Sequence, residues 1–182
     1  MRLNSLPLIV AGIFVLVAAP CVAETPAPYD ELRKAAEQGD TLSQISLGFA
    51  YTNGVMVIRD EAEAFKWFRK AAEQGDAAAQ GILGSAYASG RGIPRNDAEA
   101  AKWIRKSADQ NNAHAQGFLG LMYHTGRGVA RNYSLAYMWL SLAAAQNSDD
   151  ARHSLDILEK QITPQQRDEA QRMARTWKPI RN

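Results

Sequence analysis

The chain has 182 residues, 46% apolar and 22% charged, which is the composition of a packed globular protein and not of a disordered one. Its 21 Lys and Arg against 19 Asp and Glu leave a net charge of +2, without the strong basic excess of a nucleic-acid binder. A single cysteine excludes an internal disulfide framework and any site built from several thiolates.

The N-terminus reads Met1-Arg2, then an apolar run from Leu6 to Ala19, then Cys21-Val22-Ala23 before Glu24. One early positive charge, a short apolar stretch and small residues before a polar start predict a secretory signal peptide, residues 1–23, cleaved after Ala23. The run is shorter than the roughly 20 residues that a spanning helix needs. A competing reading makes Cys21 the acylated residue of a lipoprotein, although Pro20 fits poorly before it. The predicted mature chain has no cysteine, which suits an oxidising compartment, the periplasm or the medium.

From Tyr29 onward the sequence repeats every 36 residues. Gly48, Gly84 and Gly120 keep that spacing, as do Tyr51, Tyr87 and Tyr123, and Trp67, Trp103 and Trp139. Leu47, Leu83, Leu119 and Leu155 carry the register into a fourth unit. The predicted organisation is a leading half-repeat at 24–40, repeats at 41–76, 77–112 and 113–148, and a C-terminal capping pair at 149–182.

Each unit reads as two helices. In the second unit, Gly75 suits a left-handed cap and Asp76 an N-cap, with the first helix from Ala77 to Ser89. Asp40, Asn112 and Ser148 suit the same N-cap role. The loop Gly90-Arg91-Gly92-Ile93-Pro94 breaks the helix. A second helix follows Asn96, where Glu99 completes a predicted capping box, as Glu63 does after Asp60. Gly84 in mid-helix costs about 1 kcal/mol against Ala, so its recurrence predicts close approach of the partner helix. The tryptophans are expected to fill space between helices.

Departures from the pattern carry their own expectations. Val55-Met56-Val57 replaces x-Gly-Val in the first loop, which predicts a different backbone there. Thr163-Pro164-Gln165-Gln166 is a strong start for the last helix, whose apolar stripe is Ala170, Met173, Ala174 and Trp177. Tyr133 to Gln146 holds no charge, so this helix is expected to lie under the C-terminal pair, the alternative being a partner or membrane contact.

Leu83-Gly84, Tyr87, Gly90-Arg91-Gly92-Ile93, Asn96, Trp103 and Ala108 together resemble the Sel1-like repeat family, relatives of tetratricopeptide repeats. The resemblance covers roughly residues 29–180. It implies an all-α fold, an α–α superhelix, built as a right-handed solenoid of antiparallel helix pairs. It also implies protein binding in place of catalysis.

Catalytic signals are lacking. There is no Ser-x-x-Lys, Gly-x-Ser-x-Gly, Cys-x-x-Cys or His-Glu-x-x-His. His114 and His124 lie ten residues apart on one helix, about 15 Å, too far to share a metal ion. No enzyme activity, cofactor or metal is expected. Arg59, Arg95 and Arg131 recur by the period, as do Arg91 and Arg127, giving either a solvated edge or a basic ladder for an anionic polymer.

A ligand face is predicted from what varies between units. Positions spaced i, i+3, i+7 and i+10 share one side of the first helix, within about 80°. They read Leu42, Ile45, Phe49, Thr52, then Ala78, Gly81, Ser85, Ala88, then His114, Gly117, Leu121, His124, with Ser89 and Thr125 adjacent. Leu42, Ile45 and Phe49 are expected to pack on the half-repeat, leaving the second- and third-unit residues as the site. The leading expectation is an exported, non-enzymatic interaction module that holds a peptide or protein segment in its concave face. No nucleic acid is expected, and no membrane contact except through the partner. The alternative is a structural or accessory component of a cell-envelope assembly or polysaccharide-export system.

Overall fold

A computed structural model of the protein describes residues 27–180, and the predicted signal peptide lies outside them. Among the described residues there are nine helices and no strand. They are α1 (Ala27–Glu37), α2 (Thr41–Asn53), α3 (Glu61–Glu73), α4 (Ala77–Ser89), α5 (Asp97–Asp109), α6 (Ala113–Thr125), α7 (Tyr133–Ala145), α8 (Asp149–Glu159) and α9 (Pro164–Thr176). From α1 to α8 successive helices pack on one another in chain order, and α9 folds back onto α7. The result is an all-α superhelix of stacked helix pairs, each repeat contacting its neighbours in sequence.

Local chemistry sets the helix limits. The side chains of Asp40, Asp76, Asn112 and Ser148 each accept a backbone N–H three residues on. Asp60 and Asn96 accept two each. The expected reciprocal boxes do not close there, because Glu63 and Glu99 turn outward to ion pairs with Lys66 and Lys102. Among the described residues the box closes only at α9, between Thr163 and Gln166. At the unit boundaries Asn111 and Asn147, with φ near 68° and 67°, do the work of glycine. Asparagine tolerates the left-handed region better than most L-residues do.

The first loop corrects the sequence expectation. Met56 takes φ 66°, beside 72° at Gly92 and 69° at Gly128. The amide of Asp60 donates to the Tyr51 carbonyl, as Asn96 does to Tyr87 and Asn132 to Tyr123. The backbone is therefore shared by all three loops, and Met56 absorbs the strain. Glycine is needed in the other two because a Cβ on Gly92 would meet the Glu61 carbonyl oxygen at 2.2 Å, and one on Gly128 the Asp97 oxygen at 1.9 Å.

The glycines at mid-helix are contact points. A Cβ at Gly84 would stand 2.6 Å from Ile104 Cγ1, and Gly48 and Gly120 press equally close on Phe68 and Leu140. Two helices approach within side-chain thickness at each pair, which offsets the helical penalty of glycine. Buried glutamines clasp the boundaries. Gln80 Nε2 donates to the Ala72 carbonyl, and Gln110 Nε2 donates to both Gly75 O and Gln80 Oε1. Gln44 with Gln74 and Gln116 with Gln146 repeat the pair at 2.8 Å. The tyrosine register finds a different partner in each unit. Tyr51 shares a 3.0 Å hydrogen bond with Tyr29 of α1, and that bond, with burial, pushes its hydroxyl up to about 12. Tyr87 meets the edge of Phe65, and Tyr123 meets Arg105.

The uncharged helix α7 lies under the C-terminal pair. Met138 and Trp139 are buried there, Ser134 donates to Glu169, and Trp177 meets Trp139 edge-on at 5.9 Å. In the first two units Lys70 and Lys106 cover the tryptophan instead, 3.9 and 4.2 Å from the rings. Leu142 replaces that lysine in the third unit, where the cap takes its place. The register fails in α8. Leu158, not Leu155, is its fully buried leucine, and Asp156 stands where the close-approach glycine would be.

Candidate binding groove

The first helices α2, α4 and α6 line up side by side and leave a groove of about 1000 Å³. Its floor is apolar, made by Phe49, Phe68, Ile82 and Phe118 among others. Leu42 at 72% and Phe49 at 45% exposure are open to solvent. The expectation that they pack on the half-repeat is thus corrected. Helix α1 is satisfied by Leu47, Ala50 and Trp67, and Ile45 joins the cluster of Phe65 and Leu83. Phe49 stands edge-on to Phe68 with ring centroids 5.2 Å apart.

Six of the ten predicted site residues line this groove: Ala78, Gly81, Ser85, Ala88, Ser89 and His114. Ala78 and Ser85 are exposed there, while Ala88 is buried at the edge. Gly81 contributes backbone only, since a Cβ on it would face Ser107 Oγ at 3.2 Å, toward α5. Gly117 and Leu121 border a separate depression of about 200 Å³ against α8, shared with His114. His124 and Thr125 line neither hollow. His124 Nε2 lies 3.0 Å from Gln161 Oε1, its ring 5.8 Å from that of Tyr133, and Thr125 donates to the Leu121 carbonyl.

Sequence reasoning missed the contribution of the second helices. Phe65 and Phe68 of α3 reach the groove from behind, and Ile104 of α5 does so in the next unit. A signal existed, because the register of Phe68, Ile104 and Leu140 varies in bulk while staying apolar.

One rim carries the loop arginines. Arg59 holds Glu61 at 2.5 Å, and Arg95 grips Asp97 with two bonds of 3.1 and 2.7 Å. Arg127, from the following unit, reaches the same Asp97 at 2.9 Å. Hydrogen bonds from these guanidiniums hold the Asp97 carboxyl far below the ordinary carboxylate range, and Arg59 lowers Glu61 in the same way. In the third unit Tyr133 replaces the acid, and Arg131 lies over its ring at 5.6 Å. Four of the five periodic arginines are therefore partnered by carboxylates, which is not the arrangement of an open basic ladder. Among the described residues no three His, Cys, Asp or Glu side chains are placed to hold a metal ion. None of the described helices is long and apolar enough to cross a membrane.

Stacked helix pairs with a lined, solvent-open groove define an α-helical repeat scaffold. The Sel1 repeat model matches residues 32–40, 41–76, 77–112 and 113–148, more than half of the sequence, and the chain belongs to the Sel1 repeat family. Members of this family are generally protein–protein interaction modules, and typically non-enzymatic scaffolds. A Sel1 repeat protein from Oxalobacter formigenes is 36% identical, with a TM-score of 0.66 over 71% of this chain and 97% of its own. The protective antigen c5321 of uropathogenic Escherichia coli, which displays an SLR fold, is 28% identical with a TM-score of 0.63. That match covers 82% of this chain and 40% of the antigen. Cysteine-rich protein B of Helicobacter pylori shares the fold, at 23% identity and a TM-score of 0.54, over 69% of this chain and 90% of its own. A search of the curated proteins finds no match.

Proposed function

We propose that this protein is an exported, non-enzymatic adaptor that holds a peptide or protein segment in the groove between α2, α4 and α6. One observation carries the reading. The groove is long, apolar and unfilled by the chain's own side chains, although Phe49 in its wall would gain from burial. Residues that the packing does not need vary from unit to unit along it, as Phe49 and Ser85 do. Export rests on the N-terminal pattern of one Arg, an apolar run and Cys21-Val22-Ala23. The alternative of a permanent envelope component draws no support from α7, whose apolar face is occupied by α8 and α9.

The test is capture of partners from envelope extract by the wild-type protein and by Ser85→Trp, with circular dichroism to verify that both fold. Ser85 is exposed in the middle of the groove, so tryptophan there blocks it without disturbing the packing. A partner retained by the wild type and lost by the variant supports the reading. Equal retention overturns it. Intact mass of the accumulated protein should begin at Glu24, and retention of Met1 or an acylated Cys21 would overturn the soluble-export part.

A further inference from the structure

On the loop rim of the groove, two carboxylates serve four guanidiniums. Glu61 is engaged by Arg59 at 2.5 Å, and Asp97 by Arg95 and Arg127 at 2.7 and 2.9 Å. Arg91, the loop arginine of the middle unit, is left 3.6 Å from Glu61 with its side chain 59% exposed. That distance is beyond a hydrogen bond. Arg91 thus shares the Glu61 carboxylate with the nearer Arg59, and as the looser of the two partners it keeps donors open at the groove wall that it lines.

The other end of the groove is lined by Ala78, Asn112 and His114. The capping carboxylates of Asp40 and Asp76 sit at the far ends of α2 and α4, about 20 Å away along helices of 13 residues. Between the two rims lies the apolar floor of Phe49, Phe68, Ile82 and Phe118. The groove therefore presents a line of apolar contacts beside an edge where Arg91, Arg95 and Arg127 outnumber the lining carboxylate of Glu61.

We propose that the occupant is a peptide segment with aliphatic or aromatic side chains toward the floor and carboxylates along one edge, and that Arg91 is the residue that selects it. This rests on the groove reading above and adds the partner's chemistry to it. A carboxylate placed against Arg91 accepts a planar, two-pronged pair of charge-assisted bonds. A basic residue in that position meets the excess positive charge of Arg91, Arg95 and Arg127, which disfavours lysine-rich segments by repulsion. Apolar burial supplies the affinity, and the rim supplies direction and choice.

The probe is a random twelve-residue peptide library displayed on phage, selected on the protein in the form that expressing cells accumulate. Selected sequences should carry Asp and Glu in excess over Lys and Arg, together with aromatic or aliphatic residues. A synthetic copy of the best binder should lose about tenfold in affinity on Arg91→Gln. Replacing its acids by Gln or Asn should cost a similar factor on the wild type and little more on Arg91→Gln, because both changes delete one interaction. Binders without an acidic excess, or an affinity indifferent to Arg91→Gln, overturn the proposal. If such binders are still displaced by Ser85→Trp, the groove reading survives and only the acidic partner falls. Binding that ignores Ser85→Trp, or no binders at all, overturns both.

Discussion

Arg127 Nη2 lies 2.9 Å from Asp97 Oδ1, joining the loop of the third unit to the start of the second helix of the unit before it. The same guanidinium reaches the Ala88 carbonyl at 3.3 Å. Next to it, Gly128 sits directly on the Asp97 carbonyl. Arg91 and Gly92 approach Glu61 in the same manner one unit earlier, though with a longer ion pair. Each loop thus docks on its predecessor by backbone contact and by charge.

Asp97→Asn is expected to lower the melting temperature at neutral pH. The folded carboxyl titrates below its unfolded value near 3.9, so its contribution is complete above about pH 5 and fades as pH falls through the folded pKa. Thermal melts of both proteins should differ at pH 7 and converge toward pH 2. A difference that persists unchanged at pH 2 would mean the ion pairs are not its source.

Gly117 and Gly120 are three residues apart in α6 and should respond with opposite signs to alanine. A Cβ at Gly117 meets Ala143 Cβ at 3.8 Å, an ordinary contact, so the helix gains up to about 1 kcal/mol. A Cβ at Gly120 would lie 2.7 Å from Leu140 Cγ and 3.1 Å from the Ala136 carbonyl, costing about 1–3 kcal/mol of overpacking. Urea unfolding of the two variants measures both effects, and like signs would contradict the packing described.

Met56→Gly is expected to stabilise. Left-handed backbone costs an L-residue about 1–2 kcal/mol, and the greater freedom of glycine in the unfolded chain returns part of it. Met56 is exposed, so little burial is lost. A gain near 1 kcal/mol should appear in denaturant titration; a loss would indicate that the side chain contributes contacts worth more than the strain.

Ending the chain after Asn147 should uncover Met138, Trp139 and Leu142 on a helix with no charge of its own. Aggregation or self-association is expected by size-exclusion chromatography. A truncated protein that stays monomeric and equally heat-stable would refute the capping role of α8 and α9.

The helices were legible in the sequence because each boundary is made by residues adjacent in the chain, such as Asp76 before Ala77. Periodicity alone revealed the close-approach glycines, since each repeat must solve the same packing problem. The groove was only half legible. Its first-helix lining follows from variable positions, but Phe65 and Phe68 belong to helices that had been read as packing alone. The arginine partners were hidden for a different reason. Glu61 meets Arg91 and Asp97 meets Arg127 at an offset of 30 residues, while the repeat runs at 36. Nothing in the period announces which loop faces which helix start. The exposure of Leu42 was misjudged because α1 had seemed to need it, and Leu47 and Trp67 already fill that role.

The glutamine clasps make the boundaries between units chemically interchangeable. Gln44, Gln80 and Gln116 each take the carbonyl of an alanine eight residues earlier, Ala36, Ala72 or Ala108. An in-frame duplication of residues 77–112 would join ends that already recognise one another, leaving the cap on α7 untouched. Gene rearrangement could therefore lengthen the groove one repeat at a time, and span would become a trait that evolves by copy number, separately from the residue-by-residue drift that tunes what the groove accepts.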